Sequence, residues 1–339
     1  MTGVQTCALP ILKIVFAFSG QGSQTYHMAV ALYQGHPTFR YWMVTLDRKV
    51  REWSGQAVLE RLYSDRHQRP DVFDDIRLTH PAIFMVEYAL AQTLLSQGVE
   101  PDGVIGASLG EFCAAAVAGL ISLEDALESV VRQAEIYHRL CPPGGMLAIL
   151  APESLYHELP LLYENTEIAS FNYPGNFVVS GPPAVLDHIG SYLTERGTTA
   201  LRLPVRQAFH SALMEGAKSE VCQQTERIVS RSARLPVVSC TIGGLLDTVD
   251  REYFWDVVRK PIQVARTVAS LEHADSHLYL DLGPSGTFAN LVKYNSATRP
   301  PSRAVPLLTL FGRDLEALET ALATVAELGE AREPSGALR

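Results

Sequence analysis

Residues 102–119 read Asp102-Gly103-Val104-Ile105-Gly106-Ala107-Ser108-Leu109-Gly110-Glu111-Phe112-Cys113-Ala114-Ala115-Ala116-Val117-Ala118-Gly119. A short apolar strand ends in Gly-x-Ser-x-Gly and passes at once into an alanine-rich helix that Gly119 terminates. A serine between two glycines at a strand-to-helix turn is the pattern of a nucleophile elbow. The glycines permit the tight turn and the close approach of a substrate. Ser108 would then stand at a helix N-terminus, where free N–H groups and the dipole favour developing negative charge. The pattern alone is common in glycine-rich turns; the strand before it and the helix after it make the functional reading the stronger one.

Outward from this core, helices and strands alternate. Leu12–Phe18 is an apolar run suited to a buried parallel strand, and Ser19–Gln24 is a glycine-punctuated turn after it. A helix is expected over 81–97, with Pro81 in its first turn and Gly98 as its stop. Ser122 with Asp125 resembles a capping box opening a helix to about Leu140. Cys141-Pro142-Pro143-Gly144-Gly145 breaks it, and the pattern changes. Strands are expected at 146–150, 167–172, 177–180 and 200–204, with a helix at 184–196, so this stretch reads as a small α+β insert. Alternation resumes with a helix at 211–231, a strand at 237–240, a helix at 261–272, a strand at 278–282 and a last helix at 314–329.

The expected organisation is therefore α/β, with a large subdomain over 12–139 and 207–312 and a small one over 140–206. Residues 313–339 form a C-terminal helix and frayed tail. Residues 1–11 read as an extraneous or disordered N-terminus, foreign in pattern to the rest of the chain, and are set aside.

Of 339 residues, 47% are hydrophobic and 19% charged, which fits a folded chain and excludes intrinsic disorder. The formal net charge of -9 argues against non-specific binding to nucleic acid or to anionic membranes. No stretch approaches the roughly 18 apolar residues of a membrane span, and no basic region precedes an apolar signal core. The five cysteines form no Cys-x-x-Cys pair. A reducing, cytoplasmic location is the expectation. His273 and His277, four apart, lack further ligands and read as a solvated pair, so no metal site is expected.

A serine nucleophile needs a base. Among ten histidines His210, in Gln207-Ala208-Phe209-His210-Ser211, lies where the insert returns to the main body. A histidine at such a junction is more often structural; the presence of Ser108 reverses that weighting.

Four motifs then occur in order: Phe18-Ser19-Gly20-Gln21-Gly22-Ser23-Gln24, Gly106-Ala107-Ser108-Leu109-Gly110-Glu111, Asn172-Tyr173-Pro174-Gly175 and Ala208-Phe209-His210-Ser211. Together they resemble the malonyl-CoA:acyl-carrier-protein transacylase family, which includes the acyltransferases of polyketide synthases. Asp281-Leu282-Gly283-Pro284 matches the family's late Gly-Pro turn, and the resemblance covers about residues 12–312. It implies an α/β-hydrolase-like large subdomain with a ferredoxin-like small one inserted, and a cleft between them as the active site. It implies that Ser108 attacks an acyl thioester while His210 takes its proton. The N–H groups of Gln21 and Leu109 would form the oxyanion hole, and a backbone carbonyl, placed by the matching position at Val257, would orient the histidine. Asn172 and Phe209 would contact substrate. No permanently bound cofactor is implied. The thioester of CoA, or of the phosphopantetheine arm of acyl carrier protein, enters as substrate, and these are the expected partners. The oligomeric state is left open, with a monomer compatible.

Two positions depart from the family. Ala107 stands where a histidine usually precedes the nucleophile, which changes the pocket lining. Malonyl-specific members carry an arginine 25 residues beyond the serine, where this chain has Gln133. Arg132 is adjacent, but at about 100° per residue Leu123, Leu127, Val130, Ala134 and Tyr137 form one apolar face, with Gln133 about 70° from its centre and Arg132 roughly 190° away. Arg132 therefore reads as a surface charge and Gln133 as the pocket residue. Glutamine cannot neutralise a malonyl carboxylate. The same arginine-to-glutamine change is found in the acyl hydrolases of trans-acyltransferase polyketide synthases, which use water as the acceptor.

Three functions are compatible with these residues: an acyl-carrier-protein hydrolase, which leads; a transferase moving malonyl or another acyl group from CoA to carrier protein; and an idle carrier-protein-binding module, which the intact Ser108 and His210 disfavour. An acidic chain that meets an acidic carrier protein needs a local basic patch, for which Arg202, Arg206, Arg259, Lys260 and Lys293 are candidates.

Overall fold

The computed structural model describes residues 12–296 and 302–332. The expected extraneous segment 1–11 and the final residues 333–339 lie outside the described residues. Along the chain, β1 (Lys13–Phe18) is followed by α1 (Val30–Gly35), α2 (Pro37–Ser54), α3 (Val58–Leu62) and the long α4 (Ile76–Ser96). β2 (Gly103–Gly106) turns into α5 (Gly110–Ala118), and α6 (Leu123–Leu140) follows. Then come β3 (Gly145–Ile149), α7 (Ser154–Glu158), α8 (Pro160–Tyr163), β4 (Glu167–Tyr173), β5 (Asn176–Gly181), α9 (Pro183–Thr194) and β6 (Ala200–Arg202). The chain returns through a 3-10 helix (Ala212–Ala217), α10 (Lys218–Thr225), β7 (Val237–Ser239), β8 (Gly244–Leu245), α11 (Arg251–Arg259), α12 (Val264–Ala274), β9 (His277–Asp281), α13 (Thr287–Asn295), β10 (Arg303–Pro306) and α14 (Asp314–Arg332).

Two sheets result. The larger has the order β10-β9-β1-β2-β7-β8. All its pairs are parallel except β7 with the short β8. β2 lies on one side of β1 and β9 on the other, so the chain reverses its winding at β1. The crevice at the carboxyl ends of such strands is where open α/β sheets bind ligands. The smaller sheet, order β4-β5-β3-β6, is antiparallel throughout. With α7 and α8 after its first strand and α9 after its third, it is the ferredoxin-like arrangement.

α5 is buried on every side, Gly110 to Ala118 without exception. Its small residues let it lie between the large sheet and α4 and α6. The capping reading of α6 is observed directly: the Ser122 hydroxyl accepts the Asp125 N–H. α4 departs from expectation by starting at Ile76 with Pro81 inside it. Asp75 accepts the Arg77 N–H and outweighs the proline as a start signal. The helix expected over 211–231 stops at Thr225, because Arg231 and Arg234 give their N–H groups to the carbonyls of Leu120 and Ala118 at the end of α5. The helix expected from 261 begins at Val264, since Ile262 is instead paired edge-on with β4: its N–H bonds Ala169 O and its carbonyl accepts from Phe171 N. That bridge ties the small sheet to the segment between α11 and α12. Among the described residues no helix is long and apolar enough to cross a membrane.

The elbow is backbone packed on backbone. A Cβ on Gly110 would lie 2.3 Å from Phe18 O and 2.7 Å from Ser19 O. Nothing there can yield, so Gly110→Ala is expected to destabilise by roughly 3 kcal/mol or more. Gly190→Ala is the control: in mid-α9, the nearest atom would be Leu147 Cδ1 at 3.9 Å, and the change should stabilise by about 0.5–1 kcal/mol. Chemical denaturation of both variants checks the contrast.

Candidate active site

Ser108 and His210 are 102 residues apart in sequence and meet at the crevice. Ser108 Oγ is 3.0 Å from His210 Nε2, and His210 Nδ1 is 2.7 Å from the carbonyl of Lys260. A carbonyl only accepts, so Nδ1 carries the ring proton and Nε2 is left as the acceptor facing the serine hydroxyl. Both residues have positive φ, 53° for Ser108 and 62° for His210. Non-glycine residues rarely adopt this conformation, and where they do the surroundings hold them there. For Ser108 the hold is the elbow; for His210 it is its own N–H, which bonds Val258 O at 2.8 Å.

The two stretches that carry the expected oxyanion donors touch. Phe18 and Gly106 are register partners at the ends of β1 and β2, and Ala107 N bonds Phe18 O at 3.0 Å. A Cβ on Gly20 would fall 2.9 Å from Ser108 Cβ and 3.5 Å from Leu109 N. The Ser19–Gln21 turn thus lies directly over the elbow. Leu109 is the N-cap of α5, where the N–H has no intrahelical partner. The Gln21 side chain is anchored by Nε2 to Thr79 Oγ1 at 2.6 Å.

A cavity of about 300 Å³ opens above this pair. Ser108, His210, Gln21, Ala107, Asn172 and Phe209 all line it, together with residues of β3, β4, β5 and α13. Asn172 is oriented by a relay along the small sheet: Ser170 Oγ donates to its Oδ1 at 2.6 Å and its Nδ2 donates to Asn176 Oδ1 at 2.5 Å. Asn295 Nδ2 of α13 donates to its carbonyl at 2.6 Å, a second tie of the small sheet to the rest of the chain. Every described residue lining the cavity is uncharged apart from His210, whose burial pushes its pKa down to about 4 and keeps it neutral at neutral pH.

The profile of the family described as "Acyl transferase domain" matches residues 15–332. The chain belongs to the acyl transferase domain family. It is 38% identical over 307 residues to the polyketide biosynthesis acyltransferase homolog PksD of Bacillus subtilis, covering 91% of this chain and 95% of that one. With the homolog BaeD of Bacillus velezensis it shares 40% over 301 residues, or 89% and 93% of the two chains. Among solved structures, the loading acyltransferase of the avermectin modular polyketide synthase superposes with a TM-score of 0.85 at 26% identity, covering 92% of this chain and 99% of that one.

Within this acyl transferase domain some sequence expectations are corrected. The carbonyl that meets His210 is that of Lys260, not of Val257. Val257 is buried in α11. Lys260 precedes Pro261, which disfavours helical backbone; it is extended at φ -81°, ψ 150°, and this turns its carbonyl out of the helix toward the imidazole. Gln133 is buried as expected but does not line the cavity. It accepts from Tyr137 OH at 3.0 Å, and Tyr137 lies edge-on to Phe209, so Gln133 sits one ring behind the wall, with its Nε2 unpartnered. Arg132 is on the surface as expected, beside Glu128 and Trp53 O. His277 is not solvated: it is buried in β9 with Nδ1 3.8 Å from Glu272. Among the described residues no cluster of metal-ligating side chains occurs. Of the basic candidates, Arg202, Arg206, Arg259 and Lys260 each face a carboxylate of this chain, while Lys293 lies over the Tyr294 ring.

Other residues of the site had no place in the sequence reading. His80 stacks on Phe209 at 5.6 Å between ring centroids, and burial pushes its pKa down to about 3. Thr79 holds Gln21. Both directly precede Pro81, which the sequence reading places in a helix's first turn. Glu111 follows the elbow and accepts from Thr241 N at 2.8 Å, Thr241 Oγ1 at 2.6 Å and the Tyr253 hydroxyl. Tyr253 belongs to α11, so Glu111 ties the serine-bearing helix to the helix that presents Lys260.

A histidine acts as a base only when neutral. With its pKa lowered by burial from 6.5 to about 4, His210 is neutral throughout the range above that value. The rate of Ser108 labelling by a fluorophosphonate, followed by intact mass, should therefore be level around neutrality and fall on the acid side with a midpoint near 4. An acid limb centred at 6.5 would show that His210 is not in its buried environment when the serine reacts.

Proposed function

We propose that this chain is a serine acyl-enzyme hydrolase that releases neutral acyl groups from the phosphopantetheine arm of acyl carrier protein in polyketide biosynthesis. The observation that carries the reading is the Ser108–His210 pair at the base of a cavity lined by uncharged groups. In the first step Ser108 Oγ bonds the thioester carbon as its proton passes to His210 Nε2. The C–S bond then breaks, and the thiol leaves with that proton. In the second step water attacks the ester, His210 takes its proton and returns it to Ser108, and the free acid departs. The Gln21 and Leu109 N–H groups face the oxygen that becomes negative in both steps.

The neutral lining bears on the acyl group. A malonyl carboxylate entering this cavity loses water and meets no described cation, and an unpaired buried charge is strongly disfavoured. Gln133, behind Phe209, brings no cation to this wall. Through its resemblance to the acyl hydrolases it supports water as acceptor. The relatives at 38% and 40% identity are named acyltransferase homologs, which favours the second reading: transfer of the acyl group from CoA or carrier protein to a carrier-protein thiol.

Acetyl-loaded carrier protein incubated with the chain should yield free acetate and unloaded carrier, with little transfer to a second, unloaded carrier protein. Mass spectrometry of both carriers distinguishes the outcomes, and efficient transfer would install the second reading. Ser108→Ala should abolish the acyl-enzyme adduct, and His210→Ala should slow turnover by about 10²–10⁴-fold.

Substitution at position 133 tests acyl selection. The wild type should acylate Ser108 faster from acetyl than from malonyl thioesters. Because the Tyr137 and Phe209 rings separate position 133 from the cavity, Gln133→Arg should leave malonyl loading within about threefold of wild type and acetyl level or lower. Faster malonyl than acetyl loading by the wild type would remove the uncharged lining as the selector.

A further inference from the structure

Glu87 is an anomaly in α4. The helix is buried from Leu78 to Ala91, and in this stretch Glu87 is fully buried too. Its Oε1 accepts the Ser19 N–H at 2.7 Å and lies 3.2 Å from Ser19 Oγ; its Oε2 has no hydrogen-bond partner. The titratable groups that face it are Asp281 of β9 and Cys113 of α5. Burial, reinforced by the Asp281 carboxyl, pushes its own carboxyl well above the usual carboxylate range.

Its partner explains its place. Ser19 is the first residue after β1 and is itself buried. Its N–H opens the turn that carries Gln21. Gly20, next along, leaves no slack: its Cβ position is 2.9 Å from Ser108 Cβ and 3.1 Å from Ala107 O. A displacement at Ser19 is thus transmitted to the gap between the Gln21 and Leu109 N–H groups. Oxyanion donors act at about 2.7–3.1 Å, so that gap governs the rate.

We propose that Glu87 is a positioning residue of the oxyanion hole: an acceptor fixed on α4 that holds the Ser19–Gln21 turn in register with the Ser108 elbow. This rests on the acyl-enzyme reading above. The hydrogen bond, not a charge, is what the turn requires, so glutamine should replace Glu87 and an apolar residue should not.

The test compares Glu87→Gln and Glu87→Leu in the full chain. Three quantities are measured: the rate of Ser108 labelling by a fluorophosphonate, kcat and KM with acetyl-loaded carrier protein, and thermal stability. Glu87→Gln should stay within about threefold of wild type in all rates. Glu87→Leu should lose about 10–100-fold in labelling and in kcat, with KM within about threefold, because the defect lies in stabilising the oxyanion. Should Glu87→Leu fail to fold, Glu87→Met, close to glutamine in shape, carries the same comparison. Wild-type rates in the folded apolar variant, or an equal loss in Glu87→Gln, would overturn the assignment while leaving Ser108 as nucleophile. A wild type that does not label at Ser108 would overturn both.

Discussion

The site depends on the contact between two stretches of main chain, the turn after β1 and the elbow after β2. A Cβ at Gly106 would lie 2.6 Å from Glu111 Cα, one at Gly110 2.3 Å from Phe18 O, and one at Gly20 2.9 Å from Ser108 Cβ. Side chains at these points would separate the turns. Without them, the carboxyl ends of two parallel strands close to backbone distance. The serine side chain and the N–H groups of both turns then share one small volume. The positive φ of Ser108 is a consequence, because the chain must reverse within one residue to enter α5. Rigidity here is a property of covalent geometry and close packing, not of any strong single bond.

His210 is delivered from the other side by a different device. Pro261 prevents its predecessor from continuing α11, and the extended Lys260 offers a carbonyl to the imidazole. Two residues on, Ile262 pairs with β4 of the small sheet. One proline-punctuated segment thus orients the histidine and fastens the small sheet that roofs the cavity. Glu111 closes the circuit: it binds Tyr253 of α11 from within the serine-bearing helix. The two halves of the Ser108–His210 pair are linked through buried hydrogen bonds as well as through the 3.0 Å contact itself.

How much of this is legible in the sequence depends on how local each signal is. The elbow, the β1 turn and the capping box of α6 are written in adjacent residues, and the structure reproduces them. The small sheet is legible because its strands are short, apolar and bounded by Pro-Gly or Gly-Pro steps. The carbonyl partner of His210 is displaced by three residues from its expected place, because any residue can supply a carbonyl and only the backbone path decides which one points inward. The proline at 261 holds that information, but the position matched by the family resemblance, four residues before it, is Val257. Gln133 is correctly placed inward by helical phase, yet phase says nothing of distance, and the Tyr137 and Phe209 rings stand between it and the cavity. Glu87 and Glu111 are invisible as site residues: a glutamate in an apolar helix has no sequence partner to name, and theirs lie 68 and 130 residues away.

An imidazole oriented by a carbonyl rather than a carboxylate suits the proposed chemistry. When His210 takes the serine proton it becomes a cation beside uncharged lining residues, with the Lys260 carbonyl dipole to receive it and Arg259 opposing it. The same environment that lowers its pKa to about 4 makes it a weak base and its conjugate a strong acid. A weak base raises the barrier to forming the serine nucleophile. A thioester, however, presents a carbonyl that attack opens readily and a thiol leaving group with an ordinary pKa of about 8.5, which departs with little help. An amide would need both a stronger base and a well-placed acid to protonate its amine. The site therefore matches an activated acyl donor.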